Sequence, residues 1–131
     1  MLITREVDYA VRVLRVLSDG NIASVREICD KEDISMSIAY KITRKMEKAG
    51  IIKSYRGTNG GYALRKSLDH VTLYDVIEVV DKELLITECL RHSYDCSRNQ
   101  EADPCKVHME FLRLQKLLTD EIKSKPLSMI F

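Results

Sequence analysis

The sequence lacks the features that direct a chain to or through a membrane. No apolar run approaches the roughly 18–20 residues that span a bilayer. The first residues carry Arg5, Glu6, Asp8, Arg12 and Arg15 within an apolar pattern. A secretory signal instead places a short basic stretch before an unbroken apolar core. We therefore expect a cytoplasmic protein with no membrane partner, in which thiols stay reduced.

Catalytic signatures are missing as well. The sequence has no Cys-x-x-Cys pair, no evident pairing of a nucleophile with a base, and no phosphate-binding glycine motif. Gly57, Gly60 and Gly61 fall inside a predicted hairpin, not between a strand and a helix, so they do not form a nucleotide-binding loop. With 131 residues the chain is long enough for about one domain with its own core. These observations argue against an enzyme.

The chain does contain a strongly uneven distribution of charge. Its formal net charge is only +1. Residues 1–66 hold 13 Lys and Arg against 8 Asp and Glu, whereas residues 67–131 hold 8 against 12. Within residues 35–66 the balance is 8 against 1. A nearly neutral chain therefore includes a basic segment, which is typical of a surface that binds a polyanion.

The N-terminal part predicts three helices in close succession. Apolar residues between 3 and 17 recur on one helical face. Ser24 and Glu27 have the spacing of a capping box, which starts a short second helix. Ser35 is the expected cap of a third helix over about 36–49. Two short helices and a tight turn before a basic helix indicate a helix-turn-helix.

A β-hairpin is predicted directly after the third helix. Gly50 stands where a left-handed helix end favours glycine. Residues 51–52 and 62–64 read as two short strands, joined by a glycine-rich loop at 56–61. A helix-turn-helix followed by a basic hairpin is a winged helix. The expected fold class is mainly α with a small β-hairpin wing.

The C-terminal part divides into an irregular stretch and a long helix. Thr72 is the expected cap of a helix through about Lys82, and residues 87–104 show no clean periodicity. From Cys105 a long helix continues to Pro126, with a coiled-coil-like stripe of Val107, Phe111, Leu114 and Leu118. We therefore predict a winged helix-turn-helix domain at 1–83, a cysteine-bearing loop at 84–104, and a helix with an apolar tail at 105–131.

The third helix and the hairpin supply the candidate contacts to DNA. Ser37, Tyr40, Lys41 and Arg44 lie near one helical face, with side chains that can bond phosphates or base edges. A guanidinium at the glycine-rich hairpin tip can enter a narrow minor groove. A solvated basic surface is the alternative. The predicted DNA-binding residues are Ser35, Ser37, Tyr40, Lys41, Arg44, Arg56, Asn59 and Gly60.

Three of the four cysteines are clustered with the spacing Cys89-x6-Cys96-x8-Cys105, and His108 follows the last by three residues. Thiolates suit an iron–sulfur cluster, and the same four residues suit a zinc site of three cysteines and one histidine. The tight knuckle typical of structural zinc is missing, but spacing alone does not separate the two metals. Thiols without a cofactor are the third possibility. Cys29 lies on an apolar helix face, as a buried core thiol does.

The sequence resembles the IscR/NsrR family of bacterial winged-helix regulators over nearly its whole length. The resemblance is carried by DYAVRVL, SVREIC, ISMSIAYKITRKMEKAGIIKSYRGTNGGYALRK and VTLYDVIEVVD. Its most specific part is the wing motif S-x-R-G-x-x-G-G-Y-x-L at residues 54–64. The resemblance implies a homodimer that is joined through the long C-terminal dimerisation helix. Each subunit would place its third helix on one half of a palindromic promoter site in double-stranded DNA.

The resemblance also implies an iron–sulfur cluster, either [4Fe-4S] or [2Fe-2S], held by Cys89, Cys96 and Cys105. His108 matches the fourth ligand of IscR-like proteins. Asp8 matches the carboxylate that NsrR-like proteins supply from the partner subunit, and we slightly prefer it. His92 has no such support. The gaps between the cysteines are slightly longer than is usual in the family, which leaves the type of cluster open.

The sequence therefore predicts a transcriptional repressor whose promoter binding is controlled by an iron–sulfur cluster that senses nitric oxide, redox state or iron–sulfur status. The alternative is a regulator of the same fold without a cluster, controlled by cysteine oxidation or by a protein partner.

Overall fold

A computed structural model describes residues 2–131. Five α-helices and one two-stranded antiparallel sheet follow one another in the predicted order. Their bounds are α1 Arg5–Leu17, α2 Val25–Glu32, α3 Met36–Lys48, β1 Ile52–Tyr55, β2 Gly61–Leu64, α4 Leu73–Val80 and α5 Lys106–Ser124. Short 3₁₀ turns occupy Leu68–His70, Glu88–Leu90 and Leu127–Met129. The predicted winged helix-turn-helix is confirmed.

Polar caps begin the helices where the sequence predicts them. The Ser24 side chain accepts a hydrogen bond from the Glu27 N–H, and the Glu27 carboxylate accepts one from the Ser24 N–H, which completes the capping box. The Ser35 hydroxyl caps α3. Thr72 and Asp75 form a second capping box that begins α4. These local bonds fix where each helix starts.

The hairpin is fixed at its tip and at its base by glycines. A Cβ on Gly60 would overlap the carbonyl oxygen of Tyr55, so the tip turn excludes a side chain there. Gly61 has φ +154°, and a Cβ on it would overlap the Ala23 carbonyl. This close approach lets Ala23 and Tyr62 exchange backbone hydrogen bonds of 2.9 and 2.8 Å. The wing is thereby joined to the connection between α1 and α2.

The core lies between α1, α3 and α4. Val7, Ala10 and Leu14 of α1 are fully buried. Ile42 and Met46 of α3 lie in the same apolar cluster. As predicted, Cys29 belongs to this core. Burial, together with the nearby charge of Asp30, raises the pKa of the Cys29 thiol. Across residues 2–131, no helix is long and apolar enough to cross a membrane.

The long helix α5 lies on the surface of this core. Within Lys106–Ser124 no side chain is fully buried, and Leu118 and Ile122 pack against the core from outside. The predicted apolar stripe therefore divides. Phe111 and Leu118 are half-buried, whereas Val107 is 59% exposed and Leu114 is 40% exposed. α5 thus leaves an apolar strip uncovered beside the face that packs on its own chain.

After α5 the chain returns to the N-terminal part. The N–H of Leu127 donates to the Val71 carbonyl over 2.8 Å, and Pro126 forms a bridge with Thr72. The Leu127 side chain is fully buried, which contributes about 1.5–3 kcal/mol to folding. The C-terminal end of α5 is therefore attached to the start of α4.

We expect Leu127→Ala to lower the free energy of unfolding by about 2–5 kcal/mol, because it leaves a cavity at a fully buried position. Urea unfolding at one fixed protein concentration measures this. The matched control is Met129→Ala, since Met129 is 71% exposed and should change the free energy by less than about 0.5 kcal/mol. Equal effects of the two substitutions would show that the tail is not docked.

Candidate functional site

Helix α3 presents a polar face to solvent. Ala39, Ile42 and Met46 turn inward and are buried. The predicted contacts Ser37, Tyr40, Lys41 and Arg44 are all exposed, and Tyr40 keeps 46% of its surface. One helix therefore anchors itself through its apolar side and leaves its opposite side free for a ligand.

Arg26 of α2 lies beside the start of α3 and was not among the predicted DNA contacts. The Ser35 hydroxyl accepts from the Ile38 N–H at 3.5 Å and lies 3.3 Å from the Ser37 hydroxyl. Ser35 also lines a shallow groove of about 590 Å³ together with Met36 of α3 and Arg26 of α2. Arg26 is exposed and carries a cation beside the predicted DNA contacts. The position of Arg26 beside α3 depends on how α2 packs against α3, which the sequence does not show because a turn separates the two helices.

The wing places its polar residues at the tip, as predicted. Arg56 and Asn59 are exposed. Among residues 2–131, Arg56 has no hydrogen-bond or ion-pair partner for its guanidinium, so the cation faces water. Lys53 and Tyr55 stand next to it on β1, with the Lys53 ammonium 5.4 Å from the centre of the Tyr55 ring. Lys53 and Tyr55 were not among the predicted DNA contacts, because a strand of four residues is too short to show a clear alternation of faces.

One predicted DNA contact is already paired within the chain. The Lys41 ammonium forms a salt bridge with the carboxylate of Glu6 on α1. Lys45 bonds the same carboxylate over 3.0 Å and also donates to the Val80 carbonyl over 2.8 Å. The hydrogen bond from Lys41, and to a smaller extent the one from Lys45, holds the pKa of Glu6 below its ordinary value. The basic face of α3 therefore has an acidic neighbour from a distant part of the sequence.

The cysteine-bearing loop is closed by its own hydrogen bonds. The Cys96 carbonyl accepts from the Asn99 N–H over 3.0 Å and from the Gln100 side chain over 3.0 Å. The Asn99 side chain in turn accepts from the Cys105 N–H over 2.9 Å. These bonds hold the loop from Cys96 to Cys105 against the N-terminus of α5.

Two of the cysteines and two histidines share a cleft. Its volume is about 300 Å³, and Cys89, Cys96 and His108 all line it, along with His92. Cys105 is at the N-cap of α5, outside the lining of the cleft. All four cysteines are free thiols, and these three are half-exposed. Soft thiolates beside an imidazole fit an iron–sulfur cluster or zinc in their chemistry.

These donors have the right chemistry for a metal site, but their side chains do not converge on one point. Among residues 2–131, no three His, Cys, Asp or Glu side chains are arranged as a metal-binding group. Asp8 lies on α1 and pairs with Arg12 over 2.9 Å. Its side chain is 46% exposed and is therefore open to a second subunit. A cluster held here requires Cys105 to join Cys89 and Cys96.

Gln115 of α5 holds the start of the loop and was also missed. Its side-chain amide donates to the Leu84 carbonyl over 2.8 Å and accepts from the Ile86 N–H over 2.9 Å. It thus bonds Leu84 and Ile86, and Ile86 lies three residues before Cys89. A glutamine in an amphipathic helix carries no such signal in the sequence, because its partners are backbone atoms about thirty positions away.

Curated relatives of the chain are regulators of transcription. The regulator NsrR of Shouchella clausii is 28% identical over 108 residues, which is 80% of this chain and 67% of that protein. The regulator IscR of Vibrio campbellii is 28% identical over 123 residues, which is 92% of this chain and 71% of that protein. Both are described as HTH-type transcriptional regulators.

A solved structure shares the fold. CymR, described as the global cysteine regulator of B. subtilis, superposes with a TM-score of 0.75 at 21% identity, covering 95% of this chain and 92% of that one. Residues 3–131 match Rrf2, described as an iron-dependent transcriptional regulator. That match covers almost the whole chain, and with it the expected resemblance to IscR and NsrR is confirmed. The chain belongs to the Rrf2 family of transcriptional regulators.

Proposed function

We propose that this regulator binds promoter DNA through α3 and the wing, and that an iron–sulfur cluster held by Cys89, Cys96 and Cys105 controls this binding. The observation that carries the proposal is that one chain combines an exposed basic helix face with a loop of three free, half-exposed thiols. The NsrR and IscR relatives support it, because the resemblance to them implies such a cluster.

On DNA, α3 enters the major groove and the wing reaches the adjacent minor groove. Tyr40, Lys41 and Arg44 then face base edges and phosphates, and Ser35 and Ser37 lie at the helix start nearest the backbone. Arg56 occupies the wing tip, where Asn59 and Gly60 allow the backbone to come close. The fold and the exposed cations support this arrangement of contacts.

A homodimer presents two such surfaces to a palindromic promoter site. The uncovered strip on α5 supports the dimer, since Val107, Leu114 and Leu117 expose apolar surface along one side of the helix. Exposed apolar surface of this kind is stabilised by contact with a partner. The spacing between the two α3 helices then depends on how the two α5 helices pack.

The loop is well placed to affect that spacing. Leu84 is buried just after α4, and Cys89 follows within five residues. Cys105 caps α5. The three thiols therefore bracket the connection between the DNA-binding part and the dimer helix, and joining them to one centre would hold that connection in a single path. Such coupling commonly changes affinity roughly 5–150-fold.

The fourth ligand comes from Asp8 of the second subunit or from His108. His108 lines the cleft with Cys89 and Cys96. Asp8 forms a salt bridge with Arg12, which it would have to give up in order to bind the cluster. When bound, a [4Fe-4S] or [2Fe-2S] cluster supplies a redox-active centre that nitric oxide or oxidants attack. A carboxylate is a harder ligand than a thiolate, so Asp8 would leave such iron more easily.

A second candidate is control without a cluster, by oxidation of the thiols or by a protein partner. It is favoured by the lack of three converging donors among residues 2–131 and by the half-exposure of each loop thiol. The shared fold with CymR, described as a cysteine regulator, is compatible with it. Both candidates use the same DNA-binding surface and differ only in what the cysteines hold.

We expect Arg44→Ala and Arg56→Ala each to weaken DNA binding by about 1–3 kcal/mol, because each removes a cation from the contact surface. The ligand is a duplex selected from a random pool by the wild-type protein, and Kd is measured by fluorescence anisotropy. Lys125→Ala is the control, since Lys125 is an exposed cation at the end of α5, away from α3 and the wing. Wild-type Kd values for both arginine variants would refute the proposed surface.

For the cluster, we expect anaerobically purified protein to be brown and to contain iron and sulfide. Single replacement of Cys89, Cys96 or Cys105 by Ala should abolish the visible absorption, because each removes a thiolate ligand. Cys29→Ala is the matched control and should keep it, since Cys29 belongs to the core.

The fourth ligand is decided by comparing Asp8→Ala with His108→Ala. The variant whose spectrum changes identifies the ligand, and unchanged spectra in both exclude both residues. A wild-type sample that stays colourless after reconstitution with iron and sulfide leaves the second candidate. In that case, loss of DNA binding on mild thiol oxidation, reversed by reductant, would identify control by the cysteines.

A further inference from the structure

Glu6 is the acidic side chain in contact with the basic face of α3. Its carboxylate bridges Lys41 and Lys45, which lie one turn apart on α3. The Glu6 side chain is 33% exposed and that of Lys41 is 56% exposed, so the pair stands at the surface. Lys45 is also held by the Val80 carbonyl. Lys41 is thus the one of the two that DNA can recruit.

We propose that Glu6 sets the strength of DNA binding by competing with DNA phosphates for Lys41. The proposal rests on the DNA-binding surface described above and adds a residue from α1 to it. Before DNA arrives, the carboxylate neutralises the Lys41 ammonium. A phosphate approaching Lys41 must replace this carboxylate or share the ammonium with it.

Two measurable consequences follow from this competition. Removing the charge of Glu6 should tighten binding about two- to fivefold, the range expected for losing one competing exposed ion pair. The dependence of binding on salt should steepen by up to about 0.9 in log–log slope, because one more unpaired cation then neutralises phosphate. Both effects should be the same for selected and for mixed-sequence DNA, since a phosphate contact carries no sequence information.

The experiment measures Kd over a series of salt concentrations for wild type, Glu6→Gln, Lys41→Ala and the double variant. The probes are the selected duplex and a mixed-sequence duplex of about 30 base pairs, long enough for two half-sites one helical turn apart. Glu6→Gln should bind more tightly and with a steeper salt slope. The double variant should bind as Lys41→Ala does, because the effect of Glu6 acts through Lys41.

Two further variants separate this effect from others. Glu121→Gln removes the same charge from α5, outside the proposed DNA surface, where the exposed side chain has no ion pair with any residue in 2–131, and it should change Kd by less than about twofold. Glu6→Ala should reproduce Glu6→Gln, which excludes an effect of the new amide. Thermal unfolding of each variant shows that it is folded.

Three outcomes would overturn the proposal. Unchanged or weaker binding by Glu6→Gln would make Glu6 at most a support for α3. An equal gain from Glu121→Gln would reduce the effect to net charge. A gain that persists in the double variant would place the competition elsewhere. If instead Lys41→Ala and Arg44→Ala both bind as wild type does, the proposed DNA surface fails, and this inference with it.

Discussion

Helix α3 has to meet two opposite requirements with the same thirteen residues. Ala39, Ile42 and Met46 must be buried to fix the helix in place, while the opposite side must stay polar and open. The burial is provided by α1 and α4, which pack against α3 and against each other. The rest of the structure follows from this arrangement. Capping boxes set where α2 and α4 begin, and the Ala23–Tyr62 bridge fixes the wing relative to the connection between α1 and α2. The position of every proposed DNA contact therefore depends on apolar packing that contains none of those contacts.

The two proposed activities use different physical means within one small chain. DNA binding relies on charge and on a rigid surface, whereas the cysteine loop relies on soft donors in a segment with little regular structure. Hydrogen bonds from Asn99, Gln100 and Gln115 keep that segment in a defined path without making it part of the core. A loop of this kind can change its arrangement at a small cost in free energy, because few buried contacts are lost.

The sequence predicted those parts of the structure that depend on local chemistry. Ser24, Ser35 and Thr72 mark helix starts because a cap acts on the next three residues. Glycines mark the wing because no other residue fits its turns. The contacts that were missed join distant parts of the chain: Glu6 meets Lys41 across 35 positions, and Gln115 meets Leu84 across 31. The stripe on α5 could be read from periodicity, but its division between the chain's own core and solvent depends on how α4 packs beside it. The arrangement of the cysteines was likewise beyond prediction, since an irregular loop has no period.

The docking of Leu127 has a topological consequence. Because Leu127 bonds Val71 and Pro126 pairs with Thr72, the chain from the start of α4 to the end of α5 forms a ring closed by non-covalent contacts. The cysteine loop is one arc of this ring. A change in the length of that arc cannot be relieved by moving a free end of the chain. The change is taken up either within the loop or by a shift of α4 against α5, and α4 packs against the helix that is proposed to read DNA.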